Sequence, residues 1–190
     1  MGVRDAWFRL SGTLEGEFGP RLPGLTNDSG TAGNYPYRVP YTDAEMRQQL
    51  LDALAQAIDD LAQALASLGA AYEQLDDQQA DRLEEQLFRP VQHAYGRAKR
   101  THAEFARRRG LTGREFHTPP PGAPSTGVKG FIDKALEAVA HAETELVALQ
   151  DSLMPVEVGD ADLRAGLTEV RQLIDGLSQR ARGFVRTFGR

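Results

Sequence analysis

The sequence predicts an all-α protein: an up-down-up-down four-helix bundle of the coiled-coil type, preceded by an extended N-terminal arm. Two observations carry this prediction. Residues 42–190 contain four segments in which apolar side chains recur at alternating steps of three and four residues, the spacing of a buried helical seam. Residues 1–41 are instead dense in glycine and proline, which interrupt regular structure.

The first helix is expected over residues 42–75. Thr42 and Glu45 have the spacing of a capping box, in which each side chain accepts a hydrogen bond from the other residue's backbone. The apolar residues that follow are spaced alternately three and four residues apart: Leu51, Leu54, Ile58, Leu61, Leu65, Leu68, Tyr72 and Leu75. The helix therefore has one apolar stripe to bury.

The second helix is expected over 77–109, with Asp76 as its cap and Gly110 at its end. Its seam is Ala80, Leu83, Leu87, Val91, Ala94, Ala98, Thr101 and Phe105. The spacing slips by one residue near Leu87, and Pro90 lies beside the slip. Because proline removes a backbone hydrogen bond, we predict a bend at residues 86–90. The bend is either tolerated in a long helix or opens the bundle for a ligand.

Two further helices are expected over 128–154 and 160–188, after a proline-rich loop at 111–126. Their seams are Ile132, Ala135, Val139, Ala142, Leu146, Leu149 and Leu153, then Leu163, Leu167, Val170, Ile174, Leu177, Ala181, Phe184 and Phe188. Pro155 should stop the third helix, and Gly159 or Asp160 should cap the fourth. Short turns make helices one and two, and helices three and four, antiparallel neighbours. The longer middle loop either spans the end of the bundle or crosses along it.

The composition narrows the class of protein. The 190 residues include no cysteine, which excludes disulfides, thiol catalysis and zinc–thiolate sites. No apolar run approaches the length of a membrane span, and Arg4, Asp5 and Arg9 interrupt what would be a signal peptide. The formal net charge is -5. We therefore expect a soluble, cytoplasmic protein.

The sequence predicts no catalytic residue, no metal site and no cofactor. The histidines at 93, 102, 117 and 141 lack the preceding glutamate of a di-metal bundle, and His93 and His141 fall off the seams, toward solvent. No serine lies in a Gly-x-Ser-x-Gly turn, and no glycine-rich phosphate loop is present. Pro121-x-x-Pro124 has the spacing of a proline-reading domain's ligand, but this spacing is common.

Charge is distributed unevenly along the chain. The region 42–85 is acidic, whereas the ends of the second and fourth helices are rich in arginine. In an up-down-up-down bundle those two helices are parallel, so both basic clusters should lie at one end and could hold phosphates. The candidate residues are Arg97, Lys99, Arg100, Arg107, Arg108, Arg109, Arg182 and Arg186. Alternatively, these cations stabilise helix C-termini, pair with carboxylates on neighbouring helices, or meet an acidic patch on another molecule.

The leading functional hypothesis is a non-enzymatic interaction or scaffold protein that binds a protein partner, or itself, through its helix faces and its N-terminal arm. The arm has the aromatic residues of a docking segment: Trp7, Phe8, Phe18, Tyr35 and Tyr37. One alternative is polyanion binding, to nucleic acid or an anionic membrane, at the arginine-rich end. Another is a small-ligand site or cryptic enzyme near the Pro90 bend, beside His93 and Tyr95.

Overall fold

The computed structural model describes residues 42–152 and 154–188, and every regular element in these ranges is helical, which confirms the predicted all-α class. The elements are α1 (Asp43–Tyr72), α2 (Asp77–Leu83), a π-helical segment (Glu84–Phe88), α3 (Arg89–Arg109), a 3₁₀ turn (Pro124–Thr126), α4 (Gly127–Asp151), α5 (Met154–Glu157), α6 (Ala161–Ile174) and α7 (Leu177–Phe188). The predicted arm at 1–41 lies outside the described residues. Within them, no helix combines the length and apolar character that crossing a membrane requires.

Three helix ends form where the sequence predicts them. The Glu45 amide donates to Thr42 Oγ1 at 3.3 Å and the Thr42 amide donates to Glu45 Oε2 at 2.8 Å, which completes the capping box. Asp76 accepts from the Gln79 amide at 2.9 Å at the start of α2. Gly110 ends α3 with a φ of 65°, the left-handed conformation that favours glycine.

The predicted seams are buried throughout the second helix, from Ala80 to Phe105, and at the described positions of the third and fourth helices for which side chains are placed. The first helix buries its predicted stripe from Leu51 to Leu68, but it ends at Tyr72, which is half-buried, and not at the predicted residue 75. It also buries residues outside this stripe. Alanines such as Ala57, Ala64 and Ala71 have no exposed surface and repeat every seven residues. Because alanine side chains are short, other helices can approach α1 closely, and α1 packs extensively along α4. The helix is therefore buried on more than one face.

The slip in the second seam coincides with the π-helical segment Glu84–Phe88. There the Arg89 amide donates to the Glu84 carbonyl, five residues back. A π-helical turn accommodates one extra residue, which accounts for the four-residue step in the seam. Pro90 then falls in the first turn of α3, where a missing N–H costs least.

The predicted fourth helix is divided. It is interrupted at Asp175–Gly176, where Gly176 has a φ of 69°, so that α6 and α7 are separate helices. The Asp-Gly dipeptide is a recognised turn signal that the continuous apolar seam obscured. Pro155 also differs from its predicted role, because α4 already ends at Asp151 and Pro155 is buried within α5.

The order of helix directions is up-down-down-up, and the predicted up-down-up-down order is wrong. Arg97 pairs with Glu169 and Arg108 pairs with Asp160, so α3 and α6 run antiparallel. Gln74 Nε2 donates to the Pro124 carbonyl at 3.3 Å, which places the start of the third helix at the end of the first. The reason is that the middle loop crosses along the helices instead of spanning their end.

This order separates the two basic clusters that the sequence placed together. The end of α3 lies beside the start of α6, whereas α7 packs against α2 and the π-helical segment. Arg182 and Arg186 on α7 therefore lie at the opposite end from Arg107, Arg108 and Arg109. The prediction of a single arginine-rich end is wrong.

Candidate interaction surface

Two of the candidate arginines join α3 to α6 through one carboxylate. Asp160 is only 5% exposed. Arg108 binds it with both arms of its guanidinium, at 2.9 Å from Nη2 to Oδ1 and 3.2 Å from Nε to Oδ2. Arg109 Nη2 lies 3.3 Å from Oδ2 and donates to the Val158 carbonyl at 3.0 Å. Asp160 also caps α6, since Oδ1 accepts from the Leu163 amide at 2.8 Å.

The charge state of this junction follows from its contacts. Burial raises the pKa of Asp160. Hydrogen bonds from Arg108 and the Leu163 amide, together with the charges of Arg108 and Arg109, lower the pKa by more than burial raises it, so the net shift is downward. The hydrogen bond to Asp160 raises the pKa of Arg108 against the effect of its own burial. Both groups are thus held ionised, and Arg108 and Arg109 are structural residues.

A second contact fixes the same pair of helices about two and a half to three turns away. Arg97 pairs with Glu169 across the α3–α6 boundary. Beside it, Thr101 is buried, with its hydroxyl donating to the Arg97 carbonyl at 3.0 Å. A Cβ added to Gly166 would lie 2.3 Å from Thr101 Oγ1, so only glycine permits this approach of the helices. Arg97 is therefore also a structural residue.

The middle loop is fastened to the helices by a cluster around Phe116. Its ring meets the His102 ring edge-on, with centroids 5.0 Å apart, and Arg114 Cζ lies over the Phe116 ring, 4.9 Å from its centroid. Tyr95 donates to the Phe116 carbonyl at 3.5 Å. Arg114 pairs with Asp59 on α1. These contacts bind the loop along the helices.

His102 is 2% exposed, whereas His93 and His141 are exposed, as predicted. Burial lowers the pKa of His102, the charge of Arg114 lowers it further, and Asp52 partly opposes both. The charged form of His102 is therefore disfavoured in the folded protein, where the ring packs against Phe116. Burial raises the pKa of Tyr95, and the negative charge of Asp59 raises it further.

Of the remaining candidate basic residues, one contacts an aromatic ring and four form no ion pair in the described chain. Lys99 Nζ lies over the Tyr95 ring, 5.0 Å from its centroid. Within the described chain, Arg100, Arg107, Arg182 and Arg186 form no ion pair, and all four are exposed. Arg100 and Arg107 lie on one face of α3, about 10 Å apart along its axis. Together with Arg182 and Arg186 on α7, they are the predicted cations that remain available to a partner.

The proline-rich loop does not present its Pro121-x-x-Pro124 spacing as a polyproline helix. Gly122, inside that spacing, has a φ of 106°. A polyproline helix needs negative φ values at each residue, near -75°. The chain therefore changes direction between the two prolines, and the predicted ligand geometry is interrupted.

The vicinity of Pro90 is aliphatic. A cavity of about 10 Å³ lies there, lined by apolar side chains that include Leu87, Val91 and Ile132. This volume accommodates one water molecule at most. Across residues 42–152 and 154–188, no three His, Asp or Glu side chains converge in a way that could hold a metal ion. These residues give no support to a ligand site at the bend.

The sequence left two functional distinctions unresolved. It grouped eight basic residues by proximity in the chain, but the face of α3 on which each lies determines whether it is paired. The burial of His102 was not predicted, although its position next to the seam residue Thr101 was a signal. The predicted docking residues Trp7, Phe8, Phe18, Tyr35 and Tyr37 lie outside the described residues.

Comparison with protein-family models, with curated proteins and with solved structures finds no match to this chain.

Proposed function

We propose that this protein is a non-enzymatic scaffold, whose helices form a rigid four-helix bundle and whose outer faces, together with an extended arm at residues 1–41, bind a protein partner or a second copy. One observation carries the proposal. Charged side chains at the helix junctions, such as Arg108 and Arg97, are paired within the chain, whereas the exposed Arg100 and Arg107 on the outer face of α3 form no ion pair among the described residues. The outward charges are thus free to select a partner.

Rigidity supports the same proposal. The α3–α6 boundary is held by ion pairs at Asp160 and Glu169, and the middle loop is bound at Phe116. Among the described residues, Val156 is the only strongly exposed large hydrophobic side chain. The described helices therefore bury nearly all of their large apolar side chains against one another. The aromatic side chains of the arm, including Trp7 and Tyr35, are proposed to contact the partner.

The test is native capture from the host at physiological salt with the tagged full chain, followed by mass spectrometry. Two variant proteins are run in parallel: Arg100→Glu with Arg107→Glu, and Trp7→Ala with Tyr35→Ala. We expect a stoichiometric protein that the full chain retains and at least one variant loses. A matched control, Arg82→Glu on the exposed surface of α2, should retain it. No partner with any of the proteins, combined with a monomeric mass, would refute the proposal.

Polyanion binding is the second candidate, and the exposure of Arg100 and Arg107 favours it specifically. In this form the site is confined to α3 and does not include Arg182 and Arg186. We expect binding to a phosphate polymer to fall steeply with salt, since counterions are released on contact. Changing Arg100 and Arg107 to glutamate should abolish it, while the same change at Arg182 and Arg186 should not. Equal loss in both variants would rule out a discrete site.

A further inference from the structure

The π-helical segment and α3 share an outer, exposed face whose two ends carry opposite charges. A stripe of residues spaced four and three apart runs along it, here called the outer stripe: Glu85, Arg89, His93, Gly96, Arg100, Ala103 and Arg107. All of these are exposed except Gly96, which is half-buried. The spacing keeps them on one side of the helix. The outer stripe is an unpartnered face in the described structure.

The two ends of the outer stripe carry opposite charges. Glu85 lies at the start, on the π-helical segment, and Arg107 lies near the end of α3. Neither forms an ion pair within the described chain. Arg89 is different, because its guanidinium binds Glu84 at 3.0 Å. The unsatisfied charges are thus one carboxylate at one end and two arginines, Arg100 and Arg107, at the other.

Gly96 lies midway between these charges. Glu85 and Arg107 are each eleven residues from it, which is about 16 Å along a helix. A Cβ added to Gly96 would have no neighbour within 4 Å, so the space above it is open. The absence of a side chain lets another helix approach most closely at this point.

We propose that this face binds a second copy of the chain, with the two helices antiparallel and related by a twofold axis at Gly96. Glu85 of each copy then meets Arg107 of the other, and Arg100 lies opposite Gln92 and His93 of the second copy. A twofold contact requires self-complementary groups, and the opposite charges of Glu85 and Arg107 at the two ends of the outer stripe meet this requirement. This inference rests on the proposed function, of which it names the partner.

The contact is electrostatic and therefore sensitive to salt and concentration. The outer stripe contains no large apolar side chain, and exposed ion pairs are individually weak. Each pair occurs twice in a twofold dimer, so a single substitution removes two contacts. We expect the mass in solution to approach twice 20.8 kDa at about 50 mM NaCl and to return to the monomer value at about 500 mM.

Charge exchange tests the register. Glu85→Arg and Arg107→Glu should each weaken self-association by about tenfold, because each places like charges together on both sides of the axis. The double variant should regain association to within about threefold of the original. Sedimentation velocity measures all four proteins, and circular dichroism checks their helicity. A double variant as weak as the single variants would overturn the proposed pairing.

The absence of cysteine provides an independent test of the axis. Gly96→Cys introduces one thiol at the axis, where the two copies bring their Cα atoms within disulfide range. Ala103→Cys is the matched control, because its two thiols would be about 20 Å apart, beyond that range. Mild oxidation should crosslink the first variant and not the second. Equal crosslinking of both, or of neither, would refute the axis.

The outcomes separate this inference from the proposed function. A chain that remains monomeric at low salt but captures a partner through Trp7 and Tyr35 refutes the dimer and leaves the scaffold proposal intact. A dimer that captures nothing else supports self-association as the binding activity. A monomer without any partner refutes both.

Discussion

The inner and outer faces of α3 use the same residue type for different purposes. On the inner side, Arg97 and Arg108 face α6 and pair with Glu169 and Asp160. On the outer side, Arg100 and Arg107 have no carboxylate partner in the described chain. The position of an arginine around the helix, and not the local charge density, therefore distinguishes an arginine that stabilises the fold from one that can bind a partner.

The largest effect is expected on removing the inner carboxylate. Asp160→Ala should lower the free energy of unfolding by about 3 kcal/mol, because it removes the cap of α6 and leaves Arg108 and Arg109 without their buried partner. Urea denaturation followed by circular dichroism measures this change. Asp162→Ala is the control: Asp162 is 76% exposed and lies 3.7 Å from Arg108, so its loss should cost less than about 0.5 kcal/mol. Equal losses would contradict the assignment of Asp160 as the joining residue.

The next effect concerns the close approach of α3 and α6. Gly166→Ala should destabilise the protein by about 2 kcal/mol, because the new methyl group overlaps Thr101. Adding Thr101→Ala should recover part of the loss. Gly96→Ala, on the outer face, is the matched control and should stabilise the protein by up to about 1 kcal/mol, since it meets no neighbour and favours the helix. Thermal unfolding distinguishes the signs of the two alanine substitutions.

An intermediate effect is expected from pH, through His102. Its folded-state pKa is below the unfolded value, so between the two the unfolded chain binds more protons than the folded one. The stability that the neutral form of His102 contributes is therefore fully present above about pH 6.5. It is lost as the pH falls from there through the pKa of His102 in the folded protein. His102→Leu should reduce this slope, because leucine fills the buried position without titrating. Urea midpoints measured across this range test the prediction; an unchanged slope in His102→Leu would contradict it.

The smallest effect on stability is expected on the outer face. Arg100→Glu combined with Arg107→Glu should change the free energy of unfolding by less than about 0.5 kcal/mol, because neither side chain has an intramolecular ion pair in the described chain. The same variant should lose salt-dependent association. A large destabilisation would show that these arginines have a structural role and would remove the contrast between the two faces.

The sequence predicted correctly those features that depend on residues close together in the chain, such as helix caps and apolar seams. The capping residues Thr42 and Asp76 satisfy amides three residues away, so their pattern is visible in the chain itself. The seams were visible for the same reason, since burial of one stripe requires a fixed spacing. The break at Gly176 was missed because the seam continues across it from Ile174 to Leu177.

The sequence was sufficient to predict that residues 42–188 are mostly helical, where most of these helices begin and end, and which apolar seams are buried. The helix order, and hence which charges meet, depends on the tertiary structure. The middle loop could cross or cap the helices equally well by length; contacts of Phe116 with His102 and of Arg114 with Asp59 hold it in the crossing path. That path reverses the third and fourth helices, separates the two basic clusters, and leaves Arg100 and Arg107 facing outward, because ion pairs between helices depend on directions that periodicity along one helix does not encode.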